Sequence, residues 1–231
     1  MNKVITEETP LSEKDCFYMM DRDKEAFTYP LHKHEAMELN FVEHCDGARR
    51  IVGDSIEVLG KYDLVLVGSG LEHTWDQYDC KSHSIHEITI QFPPDLLGEQ
   101  FLAKNQLSSL RALFHNAKRG VAFELDTIME LYSKITSITQ AQPGFYRMLK
   151  LLEILYELSL KENYHLLASR SFSNVKKTPE SVRVRQVEEY IDMHYKKEIR
   201  LKTLSDIAEM TPASFSRYFR TKTGKTVSDY I

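Results

Sequence analysis

His32 and His34 stand just ahead of Glu38, and His73 follows the glycine-rich Gly68-Ser69-Gly70 further along the chain. Imidazole nitrogens and carboxylate oxygens are the donors that divalent transition metals accept at neutral pH, and they also serve as hydrogen-bond partners for a polar ligand. In an extended strand, residues two apart point to the same side, so His32 and His34 share a face and Glu38 lies further along it. Three uses follow from these residue types. The four side chains can line a pocket for a small effector, they can form a polar core with the histidines tied to Glu38, or His32, His34, Glu38 and His73 can ligate a divalent metal. Trp75, close behind His73, is either a surface on which a sugar ring of the effector stacks or a core aromatic. His83 and His86 are three apart and fall on opposite faces of a strand, so they make no evident site.

The elements that must position these groups are short strands: Met37 to Val42, Arg50 to Val52, Asp63 to Val67 and Ile85 to Phe92. Gly47, Gly53, Gly60, Gly68 and Gly70 recur between them, which is the rhythm of an antiparallel barrel or sandwich. The two histidine-bearing stretches, with Asp63 and the Gly-x-x-His that ends at His73, resemble the paired motifs of cupins. That resemblance implies a cupin-like antiparallel β-barrel over residues 1–105, with His32, His34, Glu38 and His73 as its metal ligands. It also implies an alternative function, a metal-dependent cupin enzyme such as an isomerase or dioxygenase.

After Pro93-Pro94 the pattern turns helical, over Ser108 to Lys118, Asp126 to Thr139 and, beyond Pro143-Gly144, Phe145 to Tyr164. The last two runs have more apolar surface than a small barrel needs covered, so residues 106–165 are expected to pack on the barrel and to pair with a second copy of the chain. Residues 166–180, rich in serine and without periodicity, read as a linker. Val182 to Tyr195 then reads as a helix with Val184, Val187, Tyr190 and Ile191 on one stripe.

Leu201 to Gly224 contains the most specific pattern in the sequence. Leu204, Ile207 and Ala208 form the inner face of a short helix, Glu209-Met210-Thr211 makes a turn, and Thr211 caps a second helix with Pro212 at its first position. Phe215 and Phe219 are four apart on the inner face, Ser205 leaves room for a close crossing, and Gly224 closes the helix. This is a helix-turn-helix. Ala213, Ser214, Ser216, Arg217 and Arg220 lie on the outer face of the second helix, where such a helix reads base edges in the major groove. Arg217 is the first candidate for a bidentate contact to guanine; Lys202, Arg220, Lys222 and Lys225 would neutralise phosphates.

Met210-Thr211-Pro212, then Phe215-Ser216-Arg217-Tyr218-Phe219-Arg220 and Thr223-Gly224-Lys225, resemble the first helix-turn-helix of AraC-family regulators. The resemblance implies that residues 181–231 are part of such a DNA-binding domain and that Ala213, Ser216 and Arg217 face the bases. Its further implications are an α+β chain whose barrel senses a small effector, a homodimer, and DNA and RNA polymerase as partners. Family members carry two helix-turn-helix units, and Thr226 to Ile231 reads as the opening of the helix that joins them. With one unit alone, the 231 residues are expected to bind an operator weakly.

The net charge of -4 conceals an uneven distribution. From Asn174 onward about 12 basic residues face about 8 acidic ones, so the basic excess falls where the helix-turn-helix lies. Cys16, Cys45 and Cys80 are scattered, odd in number and without Cys-x-x-Cys spacing, so they suggest neither a disulfide framework nor a thiolate zinc site. There is no signal peptide or membrane-length apolar run, and the cytoplasm is the expected compartment. Phosphate-binding glycine loops and nucleophile elbows are absent, so no organic cofactor is expected.

Overall fold

The computed structural model describes residues 4–170, Phe172, Val187, Tyr190, Ile191, 199–208, 210–223 and 226–230. The chain divides into two compact units, Met1–Ser173 and Asn174–Ile231.

The first unit is built on two sheets. One has the strand order β1 (Ile5–Thr6), β3 (His32–Lys33), β8 (His73–Asp76), β5 (Arg49–Val52) and β6 (Ser55–Val58). The other runs β11 (Tyr164–Leu166), β10 (Val121–Phe123), β7 (Tyr62–Val67), β4 (Met37–Glu43), β9 (Ile85–Phe92) and β2 (Tyr18–Lys24). Neighbours pair antiparallel except β1 and β3, which run parallel. The expected closed barrel is therefore replaced by two separate sheets. Closure requires every edge strand to find a partner, and the described strands of one sheet do not pair with those of the other.

Alternation along β4 and β9 explains how the second sheet divides the molecule. Leu39 and Phe41 on β4, with Ile88 and Ile90 on β9, join one apolar cluster together with Leu113 and Phe114 of α2 (Ser108–Ala117), Ile128 and Leu131 of α3 (Leu125–Ser137), and Leu151 and Leu155 of α4 (Phe145–Ser159). Full burial of each such side chain stabilises the fold by roughly 1.5–3 kcal/mol. The alternate positions are polar: Glu38 opposes Gln91, Asn40 opposes Thr89, and Glu87 follows on β9, all of them buried. The same face also carries Val42, Val65, Val67 and Ile85, which join Val52 and Trp75 of the other sheet in a second apolar cluster, so the polar residues form one buried patch beside it, suited to hold a ligand.

Two glycines fix the turn that delivers His73. A Cβ on Gly68 would lie 2.5 Å from the Ala117 carbonyl oxygen at the end of α2, so only glycine fits there. Gly70, at φ +70°, adopts the left-handed conformation that glycine tolerates best, and its N–H donates to the His34 carbonyl at 2.8 Å. The backbone thus ties the His73 turn to the His34 segment.

The third helical run ends earlier than the sequence pattern suggests. α4 stops at Ser159, and Tyr164 to Leu166 instead pair with β10 as β11, a strand too short for its alternation to register against the preceding helical period. Leu167 and Ala168, read as the start of a linker, are buried and donate their N–H groups to Gly120 and Arg119.

In the second unit, α5 (Leu201–Ile207) and α6 (Pro212–Thr223) precede a short α7 (Val227–Tyr230). Leu204, Ala208, Phe215 and Phe219 form its apolar cluster together with Val187 and Ile191. Of the expected helix from Val182 to Tyr195, only Val187, Tyr190 and Ile191 are described, and they are helical. Residues 173–180, Glu209, Gly224, Lys225 and the side chain of Lys222 lie outside the described residues.

Candidate functional site

The four residues singled out by spacing come together between the sheets. His32 on β3 pairs in register with His73 on β8, His34 follows β3, and Glu38 reaches across from β4 of the other sheet. One donor atom from each of His32, His34, Glu38 and His73 lies within 4.8 Å of the others, and all four residues are buried.

How the three rings are held decides what they can do. His32 Nδ1 lies 2.9 Å from the Pro30 carbonyl, His34 Nδ1 2.9 Å from the Ala36 carbonyl and His73 Nδ1 2.8 Å from the Leu71 carbonyl. A carbonyl can only accept, so each Nδ1 carries the proton and each Nε2 is left for the interior. The same arrangement orients metal-ligating histidines, in which an outer acceptor fixes the tautomer. His73 Nε2 is buried without any hydrogen-bond partner and sits 3.7 Å from Glu38 Oε1. His34 Nε2 lies 3.1 Å from Glu38 Oε2, so without a metal this ring is drawn toward its protonated form.

The electrostatics agree. Burial acts to lower His34, and the hydrogen bond and charge of Glu38 outweigh it, so its pKa is raised. His32 is lowered by burial and by His73 beside it. Burial alone would raise Glu38, but the hydrogen bond from His34 and the His73 ring close beside it hold it well below the usual carboxylate range. Three nitrogen lone pairs that can converge on one point together with an ionised carboxylate fit a divalent cation, and the unpartnered Nε2 of His73 is the atom such an ion would satisfy.

A cavity of about 110 Å³ opens beside this set, lined by His32, Glu38, Trp75, Arg22, Lys24 and Glu87 among others. Arg22 and Lys24 are two apart on β2 and both reach Glu87 Oε2, at 2.6 and 2.9 Å. Glu87 also accepts from Asn40, which in turn accepts from Thr89. These residues, with Glu7, escaped the sequence reading. The alternation of Met20, Arg22 and Lys24 was a usable signal, but only the pairing of β2 with β9 reveals that this face turns inward.

Trp75 lines the cavity, yet it is fixed as a core aromatic, with Nε1–H donated to Asp63 Oδ2 at 2.7 Å. Asp63 is ion-paired with Arg50, which also reaches Glu57. His86 is a separate group on β9, bonded by its two nitrogens to Glu43 and Asp21, and His83 is exposed ahead of that strand.

On the second unit, Thr211 Oγ1 accepts from the Ser214 N–H at 3.3 Å, and its hydroxyl donates to Ser214 Oγ at 3.0 Å. Thr211 is therefore the N-cap of α6, and Ser214 is engaged in that cap. Ser205 is fully buried, with its hydroxyl donated to the Lys202 carbonyl. Lys202, Ala213, Arg217 and Arg220 are exposed, and Ser214 and Ser216 are half-buried.

Among the described residues, no helix is long and apolar enough to cross a membrane. Cys16, Cys45 and Cys80 are free thiols, the first exposed and the other two buried. No protein-family model matches the chain, and no curated protein matches it. Among solved structures, it is similar to apo ToxT from Vibrio cholerae, with TM-score 0.42 and 11% identity over 94% of this chain and 97% of that one. Wild-type ToxT with an unsaturated fatty acid bound gives TM-score 0.37 and 13% identity over 95% and 96% of the two chains. The AraC-like transcriptional activator CuxR gives TM-score 0.39 and 8% identity over 93% of this chain and 70% of that one.

Proposed function

We propose that the chain is a ligand-responsive DNA-binding transcription regulator of AraC-like design, whose sandwich unit holds a divalent metal through His32, His34, Glu38 and His73 beside a small effector pocket. The observation that carries the sensing half is the set of three imidazoles with Nδ1 committed to backbone carbonyls and Nε2 turned inward. When bound, the ion would supply a fixed positive charge and Lewis acidity at the end of the cavity. The residues of the chain do the rest: Arg22, Lys24 and Asn40 hold Glu87 in place, Trp75 closes one wall, and Gln91 donates to Glu38 at 3.1 Å.

The DNA-binding half rests on α6, capped by Thr211, anchored by Phe215 and Phe219, and exposing Ala213, Arg217 and Arg220. Arg217 reads a base, while Arg220 and Lys202 contact phosphate. Elemental analysis of protein purified without chelator should give about one metal per chain, lost on His32→Ala/His34→Ala substitution, and a purified chain without metal rejects that half of the reading. For DNA, operator fragments selected from a random pool should lose roughly 1–3 kcal/mol of base discrimination with Arg217→Ala. Binding that ignores both sequence and Arg217 would reject the other half.

The metal centre also suits the alternative reading, a metal-dependent enzyme, and turnover of a small substrate by the metal-loaded chain would establish it. A second copy of the chain is the proposed partner of α4, where Phe145, Leu149 and Tyr156, with Leu160 just past its end, recur at helical spacing and are all exposed. Sedimentation should return about twice the chain mass of 26.9 kDa. A strict monomer at high concentration removes the dimer.

A further inference from the structure

Glu7 has no role in the four-donor set, yet it faces the same space. Its Oε2 lies 3.7 Å from His32 Nε2 and 3.9 Å from His34 Nε2, and it accepts from Gln91 Nε2 at 3.3 Å. Its other oxygen accepts from the Tyr29 hydroxyl at 2.9 Å. A carboxylate is thus delivered to the open side of the histidines and steered there by two donors.

The element that carries it is light. β1 has two residues, both exposed, and the segment is held to β3 by the N–H groups of Ile5 and Glu7 donating to Leu31 and Lys33. Few backbone bonds and little buried apolar surface are the marks of a segment that opens at low cost in free energy.

Charge indicates what can replace it. With a divalent ion in place, the ion, Arg22 and Lys24 outweigh Glu7, Glu38 and Glu87 by one positive unit. Withdrawing Glu7 doubles that excess in a partly open pocket, and the added positive charge attracts another anion. At roughly 30 Å³ per water, a cavity of about 110 Å³ holds on the order of four waters, the size of a small organic acid. We infer that Glu7 is a displaceable intramolecular ligand of the metal centre, and that the pocket takes a small monocarboxylate in its place.

This inference rests on the metal reading, and the test separates the two. The full chain is loaded with cobalt(II), whose visible absorption reports its coordination, as wild type, as Glu7→Gln and as His73→Ala, with circular dichroism confirming the fold of each. The expected result is a changed spectrum and a roughly 10-fold weaker cobalt affinity in Glu7→Gln. Acetate should restore the wild-type spectrum to this variant, and at lower concentration than is needed to perturb wild type itself. If Glu7→Gln matches wild type in spectrum, affinity and acetate response while His73→Ala loses cobalt, the metal centre stands and the role of Glu7 is overturned. If wild type binds no cobalt, the metal centre falls and the inference falls with it.

Discussion

The sandwich unit holds two kinds of histidine–carboxylate group, and they differ in what each nitrogen has left to offer. At His86, Nδ1 bonds Glu43 and Nε2 bonds Asp21, both at 2.7 Å; at His165, Nδ1 faces Glu124 and Nε2 faces Glu57. Every nitrogen there already has a carboxylate, and the group is complete as a set of ion pairs on a wet surface. At the centre between the sheets, each ring gives one nitrogen to a backbone carbonyl, and His73 has its second nitrogen buried and unpartnered. Residue composition alone would not distinguish the two kinds. Hydrogen-bond accounting does, because an unsatisfied buried donor or acceptor costs about 1–3 kcal/mol and therefore signals a missing partner.

The contrast is broken most directly at His73. His73→Ala is expected to abolish metal binding, an effect beyond the roughly 10–100-fold cost of losing an outer partner, whereas His86→Ala should leave the metal affinity unchanged. Isothermal titration of both variants checks this, and equal losses would erase the distinction.

Next in size is Arg50, the extreme of a fully engaged group: it is buried, ion-paired to buried Asp63 and also to Glu57. Burial raises the Asp63 carboxyl, against the pull of Arg50 and the Trp75 N–H. Arg50→Met removes that compensation and should cost about 3–5 kcal/mol of stability in denaturant titration, with metal affinity retained. A loss of metal without a loss of stability would mean that this network belongs to the centre.

The smallest effect is expected at His86. Its pKa is raised above 6.5: burial acts against the charged ring, and the bonds to Asp21 and Glu43 outweigh it. A folded-state value above the unfolded one means that the stabilisation is complete below the unfolded value and is lost as pH rises through the folded one. Because the ring is partly exposed, the contribution is roughly 0.2–1 kcal/mol. Stability measured from pH 6 upward should therefore decline with a slope that His86→Ala makes shallower, and an unchanged slope would assign it elsewhere.

Much of the central group could be read from the sequence, since His32 and His34 share a strand face by period and the glycines before His73 mark a turn. Its surroundings could not. Glu7 sits beside a two-residue strand with no period to detect, and Arg22 meets Glu87 only through the pairing of β2 with β9, a contact 65 residues apart. The strands β4, β5, β7 and β9 were legible where β2, β6 and the edge pairing were not, and two sheets are found where a closed barrel was expected. In the second unit the order cap, proline, paired phenylalanines was readable because each of those signals is local, as the Thr211 to Ser214 bond illustrates.

The division of β4 and β9 into an apolar and a polar face has a consequence for redesign. Leu39, Phe41, Ile88 and Ile90 bind the sheet to its helices, while Asn40, Thr89 and Gln91 point the other way and contribute little to that apolar packing. The frame and the lining are thus written on alternate letters of the same strands. New chemistry can be installed at Asn40, Thr89 or Gln91 while the letters between them keep the scaffold upright, so the selectivity of this pocket can drift without renegotiating the fold.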